Sequence, residues 1–526
     1  MKPAILATLI AAFLAGAAAA STVAFVAASG ETPFASLSGS NGHDHATGAD
    51  EHALHGGMAG DAAAHSGAHD QTGMARPTFP PAQGQVPSAS DAESLDEVPS
   101  LRVVEDKGFN PKNGVRSGEG TLADPYVISG YYVTGDLYLG DTDACFEVAG
   151  NYISGQLTLN WNGQCVWIHH NFIRDLRVNE NVERTGYATG GLIEANQIEF
   201  IGQLRHYDGE VRNNVVGPRT STSAFDEVLE ETPLLRADLL LANIDGFNQG
   251  LIHHNTFYGS VDLDLHGHHH GTGFFAPHSH YHGLDESHMP THMEDHTDRW
   301  TSVAFTDNKI VDDLGYGLRY EDQNHAGDDR TATSEDNEDL DMDHTHRTLV
   351  DIARNTVEGG QIWVDVFNAD DENHKGRNDG WLNLVDNQVT VKERKDESIL
   401  GLQLLSTAPW PVYEGISIMA SKEVETLVSG NIVTYVPLPE EQSGGTMGLP
   451  VPALFSQEFI TTGIHIRDVR DATIRIVDNQ ASGFQYGIAA YEMDEDTEWS
   501  VVGNVIEGAE QDVYYDESVA NKPGKK

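Results

Sequence analysis

Cys145-Phe-Glu-Val-Ala-Gly-Asn-Tyr-Ile153 aligns without a gap on Cys165-Val-Trp-Ile-His-His-Asn-Phe-Ile173, and this pair of segments decides the fold. Both contain one phrase: an apolar residue, two variable residues, an asparagine, one variable residue and a second apolar residue. The phrase recurs along the chain at Asn151, Asn171, Asn196, Asn214, Asn255, Asn308, Asn355, Asn387, Asn431, Asn479 and Asn504. A short repeat of this kind is typical of a solenoid, in which each coil stacks on the next.

The spacing between successive asparagines is irregular. The short steps match one coil, whereas the long steps are either multiples of a coil or one coil that carries an insertion. Residues 261–265 and 362–367 alternate apolar and polar side chains, as half-buried strands do. Asparagine also tolerates the left-handed backbone that a tight corner needs. The sequence therefore predicts an all-β protein, a right-handed parallel β-helix, with one short helix inserted at residues 225–241.

The two cysteines occupy the same position of consecutive coils. Neighbouring coils lie about 4.8 Å apart, which falls within the roughly 4.4–6.8 Å that separates the Cα atoms of a disulfide. We therefore expect a disulfide between Cys145 and Cys165 in an oxidising compartment, where it would contribute about 3 kcal/mol. The alternative is a pair of stacked free thiols.

Composition divides the chain into four parts. Residues 1–30 contain Lys2 and then a long uncharged run, which is typical of a secretory signal peptide; the run is also long enough to form an N-terminal membrane anchor. Residues 31–99 are rich in Ala, Gly, His and Pro and predict a disordered tether. The β-helix is expected over 100–515 and a tail over 516–526. We expect a secreted or cell-surface protein.

The chain is strongly acidic, with a formal net charge of −50 from 31 basic and 81 acidic residues. Such a charge repels nucleic acid, and it repels anionic membranes and polyanionic glycans unless cations bridge them. The excess equally suits a protein that stays soluble in high salt. We expect no nucleic-acid partner, and membrane contact only through the N-terminal segment if that segment is not cleaved.

Ten histidines crowd one insertion, and further histidines lie in an acidic loop downstream. Imidazole suits zinc and copper, and calcium is a further candidate cofactor because carboxylates are abundant. The alternative is an inert hydrophilic loop. The predicted metal ligands are His266, His268, His269, His270, His278, His280, His282, His288, His292, His296, His344 and His346.

Three insertions, which begin near residues 266, 321 and 368, each follow the strand that comes after an Asn phrase. Because successive coils stack, we expect these loops to lie side by side. The preceding strands carry a candidate carbohydrate groove, and a solvated outer face explains the same residues equally well. The groove residues are Asp262, Asp264, Arg319 and Asp365.

Two histidine pairs stand inside the repeat itself. His169-His170 precedes Asn171, and His253-His254 precedes Asn255. The residue directly before the asparagine varies among polar and small types in the other coils. We therefore expect His170 and His254 at a solvent-facing corner, with only a weak claim to be metal ligands.

The segment Gly118-Glu-Gly-Thr-Leu-Ala-Asp-Pro-Tyr-Val-Ile128 resembles the opening phrase of secreted β-helix proteins of the pectin-lyase-like and NosD-like superfamily. In that group a G-x-G-T-x-x-D/N-P-Y-x-I segment leads into the first coil, and the Asn phrases resemble its coils over about residues 118–510. The resemblance implies the fold. The superfamily holds lyases, hydrolases, adhesins and accessory proteins linked to copper-site maturation, and the long His-rich insertion of this chain departs from NosD-like proteins.

Three functions therefore stay open from the sequence. The first is a non-catalytic β-helix that binds transition-metal ions through its His-rich loop. The second is a polysaccharide lyase or glycoside hydrolase that acts in the predicted groove, with a glycan as its partner. The third is a passive adhesin or scaffold that contacts other components of the cell envelope.

Overall fold

The structure is a computed structural model. It describes residues 84–142, 144–162, 165–179, 191–204, 207, 209–218, 240–245, 249–264, 298–312, 315–324, 345–368, 377–378, 380–393, 412–419, 424–437, 460–516 and 519. Within these ranges nearly all regular structure is β. The exceptions are the helix α1 (Ala89–Ala92) and two 3₁₀ turns (Asp106–Gly108 and Pro111–Asn113). No helix in this part of the chain is long and apolar enough to cross a membrane.

Each coil contributes strands to three stacked faces, which we call sheets I, II and III. Sheet I precedes the Asn corner. Its strands are β3 (Tyr126–Ser129), β6 (Phe146–Ala149), β8 (Val166–His169), β10 (Gly191–Glu194), β12 (Glu210–Arg212), β15 (Gln249–His253), β18 (Asp298–Thr306), β21 (Thr345–Ala353), β25 (Gly380–Val385), β28 (Val424–Ser429), β31 (Thr473–Val477) and β34 (Glu498–Val502), with β24 (Arg377–Asn378) beside β21.

Sheet II follows the corner directly. Its strands are β1 (Asp96–Val98), β4 (Tyr131–Val133), β13 (Val215–Val216), β16 (Thr256–Phe257), β19 (Lys309–Val311), β22 (Thr356–Gly359), β26 (Gln388–Lys392), β29 (Ile432–Val436), β32 (Gln480–Ser482) and β35 (Val505–Glu507). Three long strands run through both sheet II and sheet III, namely β7 (Tyr152–Asn162), β9 (Phe172–Asn179) and β11 (Gln197–Leu204).

Sheet III completes each coil. Its remaining strands are β2 (Leu101–Val104), β5 (Leu137–Thr142), β14 (Leu240–Asp245), β17 (Ser260–Asp264), β20 (Gly317–Asn324), β23 (Gln361–Asn368), β27 (Val412–Met419), β30 (Ile460–Val469), β33 (Tyr486–Met493) and β36 (Gln511–Tyr515). The ladders between these strands are parallel, as in β17 with β20 and β20 with β23. Parallel strands joined by crossovers wind right-handed, and the predicted right-handed parallel β-helix is confirmed.

The asparagines form a continuous ladder through the core corner. The backbone N–H of each one donates to Oδ1 of the asparagine in the next coil at 2.9–3.0 Å, from Asn151 to Asn504. The ladder continues without a break across sequence separations of 41, 53 and 47 residues. These long steps are therefore single coils that carry insertions, and they do not span additional coils.

The left-handed backbone lies one residue earlier than the sequence suggested. The asparagines themselves keep negative φ, whereas the residue before each of the eleven has φ between 53° and 73°: Gly150, His170, Ala195, Asn213, His254, Asp307, Arg354, Asp386, Gly430, Asp478 and Gly503. The buried amide instead satisfies backbone groups at the corner; Asn171 Nδ2, for example, donates to the Val148 carbonyl at 2.8 Å. The preceding residue therefore makes the left-handed turn at each corner.

The disulfide between Cys145 and Cys165 is present, with the Cα atoms 4.8 Å apart. This confirms the register between the first two Asn coils, and a structural disulfide indicates an oxidising compartment. The predicted helix at 225–241 is wrong at its end, because Leu240 and Leu241 begin strand β14. The rest of that segment lies outside the described residues.

Candidate functional site

The outer face of sheet III carries a row of polar and aromatic residues in strict register. Leu318 and Ile416 are fully buried in the core, and side chains alternate along each strand, so the residue that follows each of them lies on the opposite, outer face. On that face Ser417 and Ala489 are also fully buried, whereas the Arg319 side chain is 48% exposed. Parallel pairing aligns one outward residue from each coil, in the order Asp262, Arg319, Trp363, Ser417, His465, Ala489 and Tyr514. We call this set the first row. At about 4.8 Å per strand, Asp262 and His465 lie about 19 Å apart.

A second row runs beside the first, two residues further along each strand. It contains Asp264, Glu321, Asp365, Met419, Arg467 and Tyr491. The four groove residues predicted from the sequence therefore lie on one face of three neighbouring strands. For Asp264 and Glu321 the structure describes only the strand position.

Asp262, Arg319 and Trp363 make contact across these strands. Nη1 of Arg319 lies 3.7 Å from Oδ2 of Asp262, and the guanidinium carbon stands 4.9 Å from the centre of the Trp363 ring. The Trp363 indole N–H donates to the sulfur of Met419 at 3.1 Å. A stacked arginine and tryptophan present a flat amphipathic surface, which suits the apolar face and the hydroxyl rim of a sugar ring.

His465 and Glu414 form a shielded pair further along the first row. Nδ1 of His465 lies 2.5 Å from Oε1 of Glu414, and the two side chains are only 12% and 9% exposed. The contact is close but is not a well-directed hydrogen bond, since Nδ1 has no hydrogen-bond partner at a favourable angle. A carboxylate at Nδ1 favours the proton on that nitrogen and leaves Nε2 as the basic nitrogen.

Two tyrosines continue the cluster from the imidazole. The Tyr491 ring meets the His465 ring edge-on at 5.1 Å, and the Tyr514 ring follows at 5.5 Å from Tyr491. Burial raises the pKa of Tyr491 to about 12, with smaller contributions from Tyr514, Tyr486 and nearby carboxylates. The Tyr491 hydroxyl therefore stays protonated at neutral pH and is able to donate a proton.

Arg467 adds a cation beside this cluster. Its Nε donates to Oε2 of Glu492 at 3.0 Å, and the hydrogen bond to that carboxylate raises the pKa of the guanidinium above its usual range. Glu414, His465, Tyr491 and Arg467 thus place a base, an acid and a positive charge within neighbouring strands. Such a set is equipped for general acid–base chemistry.

Sequence reasoning missed this cluster. Glu414, His465 and Tyr491 come from segments without an Asn phrase of their own, although Ile464-His-Ile-Arg467 alternates apolar and polar residues as a strand does. Their proximity depends on the register between β27, β30 and β33, and the long insertions hide that register in the sequence. The signal available was the period-two pattern within Ile460–Val469.

Almost all of the predicted metal-binding histidines lie outside the residues that the structure describes. His266 to His296 and His344 are outside the described residues, and for His346 only a strand position in β21 is described. Among the side chains that are described, no group of three or more His, Cys, Asp or Glu is placed to hold a metal ion. Metal binding through the His-rich loop therefore stays a prediction.

The fold and its polar outer face define a right-handed parallel β-helix protein. No family model matches the chain, and no curated protein matches it. Two solved structures are similar, the A-modules of the mannuronan C-5 epimerases AlgE6 and AlgE4 of Azotobacter vinelandii, with 11% and 10% identity and TM-scores of 0.21 and 0.20. Each match covers 74% of this chain and 91% of the other. Similarity this low carries no information on activity, and the relation to NosD-like proteins stays a prediction.

Proposed function

We propose that the protein is a carbohydrate-active β-helix enzyme of the lyase type, which binds a glycan along the outer face of sheet III. One observation carries this proposal: the shielded His465–Glu414 pair and the protonated Tyr491 lie on the same face as Asp262, Arg319 and Trp363. The face offers a binding surface at one end and proton-transfer groups at the other. A linear polymer is the substrate that spans such a row.

The arrangement suits proton abstraction from a sugar carbon. Nε2 of His465 takes the proton, while Glu414 stabilises the imidazolium that forms. The electron pair left on carbon expels the glycosidic oxygen from the neighbouring carbon, and Tyr491 gives its proton to that oxygen. The products are an unsaturated sugar and a new hydroxyl end. Hydrolysis relies instead on two carboxyl groups that flank the bond, whereas Glu414 and Glu492 are each engaged with a cationic or basic partner.

A C–H bond acidic enough for this step lies next to a carboxyl group, so the substrate class is a polymer that contains uronic acids. The net charge of −50 opposes the approach of such a polyanion. We therefore expect binding to require a divalent cation such as calcium, which bridges carboxylates of the protein and the glycan. Arg467 and Arg319 would neutralise part of the remaining charge.

The test is an activity screen of the full-length chain on uronic acid polymers and neutral polysaccharides, each with and without calcium. Ultraviolet absorbance reports the unsaturated product, which only elimination forms, and a reducing-end assay reports cleavage of the chain by either elimination or hydrolysis. His465→Gln is expected to lower kcat by about 10²- to 10⁴-fold, because it removes the base. Tyr491→Phe and Glu414→Gln should also lower kcat.

Matched controls are available on other faces. Glu425→Gln lies on sheet I, and Tyr258→Phe changes an exposed tyrosine; both should leave kcat unchanged. The proposal is wrong if no polymer yields unsaturated product, or if His465→Gln retains wild-type activity. Reducing ends without unsaturated product would favour the hydrolase.

A further inference from the structure

Sheet I carries two histidine pairs that repeat the same geometry at equivalent positions. In strand β8 and its corner, Nδ1 of His169 lies 3.0 Å from Nδ1 of His170, and Nε2 of His169 lies 3.0 Å from Oε1 of Glu147. Glu147 stands on β6, the strand of the preceding coil. His170 is the residue with left-handed backbone before Asn171.

The second pair has the same construction in strand β15. Nδ1 of His253 lies 2.8 Å from Nδ1 of His254, and Nε2 of His253 lies 2.8 Å from Oε1 of Glu210. Glu210 again stands on the strand of the preceding coil, β12, four residues before its asparagine, as Glu147 does. Two occurrences of the same three-residue arrangement point to a common purpose.

The orientation of the rings is the one that metal-binding histidines adopt. A ligating imidazole commonly donates its second N–H to a carboxylate, which fixes the tautomer and makes the other nitrogen the ligand. Here Glu147 and Glu210 fix Nε2, so the free lone pairs of His169 and His253 are on Nδ1. Each faces the Nδ1 atom of its neighbour.

The distance between the two nitrogens also fits a metal ion. For metal–nitrogen bonds of about 2.0–2.1 Å, two ligands at a right angle lie about 2.8–3.0 Å apart, whereas tetrahedral ligands lie about 3.3 Å apart. Right-angle geometry is typical of copper(II) and nickel(II) with nitrogen and oxygen ligands. The observed separations of 3.0 and 2.8 Å match the right-angle case.

The surroundings leave room for a cation and its other ligands. A cavity of about 490 Å³ is lined by His170, Glu194, Ala195, Arg212, Asn213, His253 and His254. Arg212 is bound to both Glu194 and Glu210, at 2.9 and 2.7 Å. Together with Glu147 beside His169, the two histidine pairs have three carboxylates and one arginine around them, so this region is negatively charged when the histidines are neutral, and this charge favours a cation.

We propose that His169–His170 and His253–His254 are two equivalent sites for copper(II) or nickel(II), each with two Nδ1 ligands and water in the remaining positions. Two protein ligands per site agree with the finding that no described cluster supplies three. In the absence of metal, an N–H···N hydrogen bond holds each pair together. Metal binding replaces that bond and moves the proton of His170 or His254 from Nδ1 to Nε2. The residues of these sites belong to sheet I and its corner and are not part of the His-rich insertion or of sheet III.

The test measures modification of single histidines in the full-length chain with diethyl pyrocarbonate, resolved by peptide mass spectrometry, as nickel(II) chloride is added. Because each histidine is assigned to its own peptide, modification of the two histidine pairs is measured separately from modification of the His-rich insertion. Nickel is expected to slow modification of His253 and His254 about tenfold or more. In Glu210→Gln the nickel concentration needed should rise about 10- to 100-fold, because the fixed tautomer is lost.

His254→Gly removes one ligand at a position where Gly430 and Gly503 stand in other coils, so the corner is expected to be preserved. Protection of His253 should then disappear while protection at His170 persists. Ala195→Gly changes the same repeat position without removing a ligand, and it should leave both sites intact. The proposal is overturned if nickel does not protect His253 and His254 in the wild-type protein, or if His253 stays protected in His254→Gly. If circular dichroism shows that His254→Gly is misfolded, Glu210→Gln provides the test instead. The proposal is then overturned if Glu210→Gln needs the same nickel concentration as the wild-type protein for protection of His253 and His254.

Discussion

Arg354 and Asp307 occupy the same corner position in consecutive coils and form a two-pronged ion pair. Nε and Nη2 of Arg354 lie 2.8 Å from Oδ1 and Oδ2 of Asp307. The hydrogen bonds from Arg354 hold the pKa of the Asp307 carboxyl below its ordinary value, against the opposing effect of burial. Both residues have left-handed backbone, so the corner geometry directs the two side chains towards each other.

This pair predicts a defined pH dependence. Because the folded-state pKa of Asp307 is depressed, its stabilisation is present above the unfolded-state value of about 3.9 and is lost as the pH falls through the lower folded value. The guanidinium is half exposed, so we expect less than about 1 kcal/mol. Urea unfolding of wild type, Asp307→Asn, Arg354→Gln and the double variant should show coupling at neutral pH that disappears near pH 2. Coupling that persists in acid would contradict the assignment.

Removing one member of the Asn ladder should loosen the coils on both sides of it. Asn355 donates to the Phe305 carbonyl and to Asn387 Oδ1, and its own Oδ1 accepts from the Asn308 backbone. Asn355→Ala removes these bonds from the Phe305 carbonyl and the Asn308 backbone N–H, at a cost of about 2–4 kcal/mol. Asn387 Oδ1 keeps the hydrogen bond from the backbone N–H of residue 355. Hydrogen exchange should speed up most at the neighbouring corners. Asn383→Ala, which breaks one partly buried bond to Asp351 on sheet I, is the control and should cost less.

Ala195 is the one alanine among the eleven corner residues, and its φ is 53°. A side chain in this conformation costs about 1–2 kcal/mol, which glycine avoids, although glycine loses more entropy on folding. Ala195→Gly should therefore be neutral or stabilising by up to about 1 kcal/mol, in contrast to Ala→Gly changes inside strands. A rise in the urea midpoint, or no change, fits the corner assignment. Destabilisation by 1 kcal/mol or more would count against it.

The His-rich insertion makes a separate prediction, independent of the nickel sites on sheet I. Deleting residues 267–295 should leave the β-helix intact, because Asn255 bonds directly to Asn308 across the insertion. Calorimetric titration with zinc or copper at neutral pH should then show fewer bound ions per chain. Equal stoichiometry with and without the segment would refute metal binding by the insertion, and loss of the folded circular dichroism spectrum would refute its description as an insertion.

The repeat made the fold and the disulfide predictable because both depend on register, which the Asn phrase fixes for each coil. Asp262 and Arg319 could be placed together for the same reason, since the strand of each one follows shortly after an Asn phrase. The pairing of Glu414 with His465 could not be foreseen, because it depends on side-chain directions across a stretch interrupted by long insertions. The left-handed residue was misplaced because asparagine has that conformational tolerance in isolation, whereas here its amide is committed to the ladder.

The residues that precede the asparagines form a regular row along one edge of the solenoid. The buried amides fix the backbone, so the position before each one is not needed for packing of the core. Gly, Ala, Asn, Asp, Arg and His all occur there with nearly the same φ. Side chains at this edge are spaced at intervals of about 4.8 Å. A substitution at this position can therefore change the chemistry of the corner with little effect on the strands behind it. Gly430 and Gly503 are exceptions, because a Cβ there would collide with Oδ1 of Asp386 and Asp478. The ion pair between Arg354 and Asp307 and the two histidine pairs are different uses of this one repeat position.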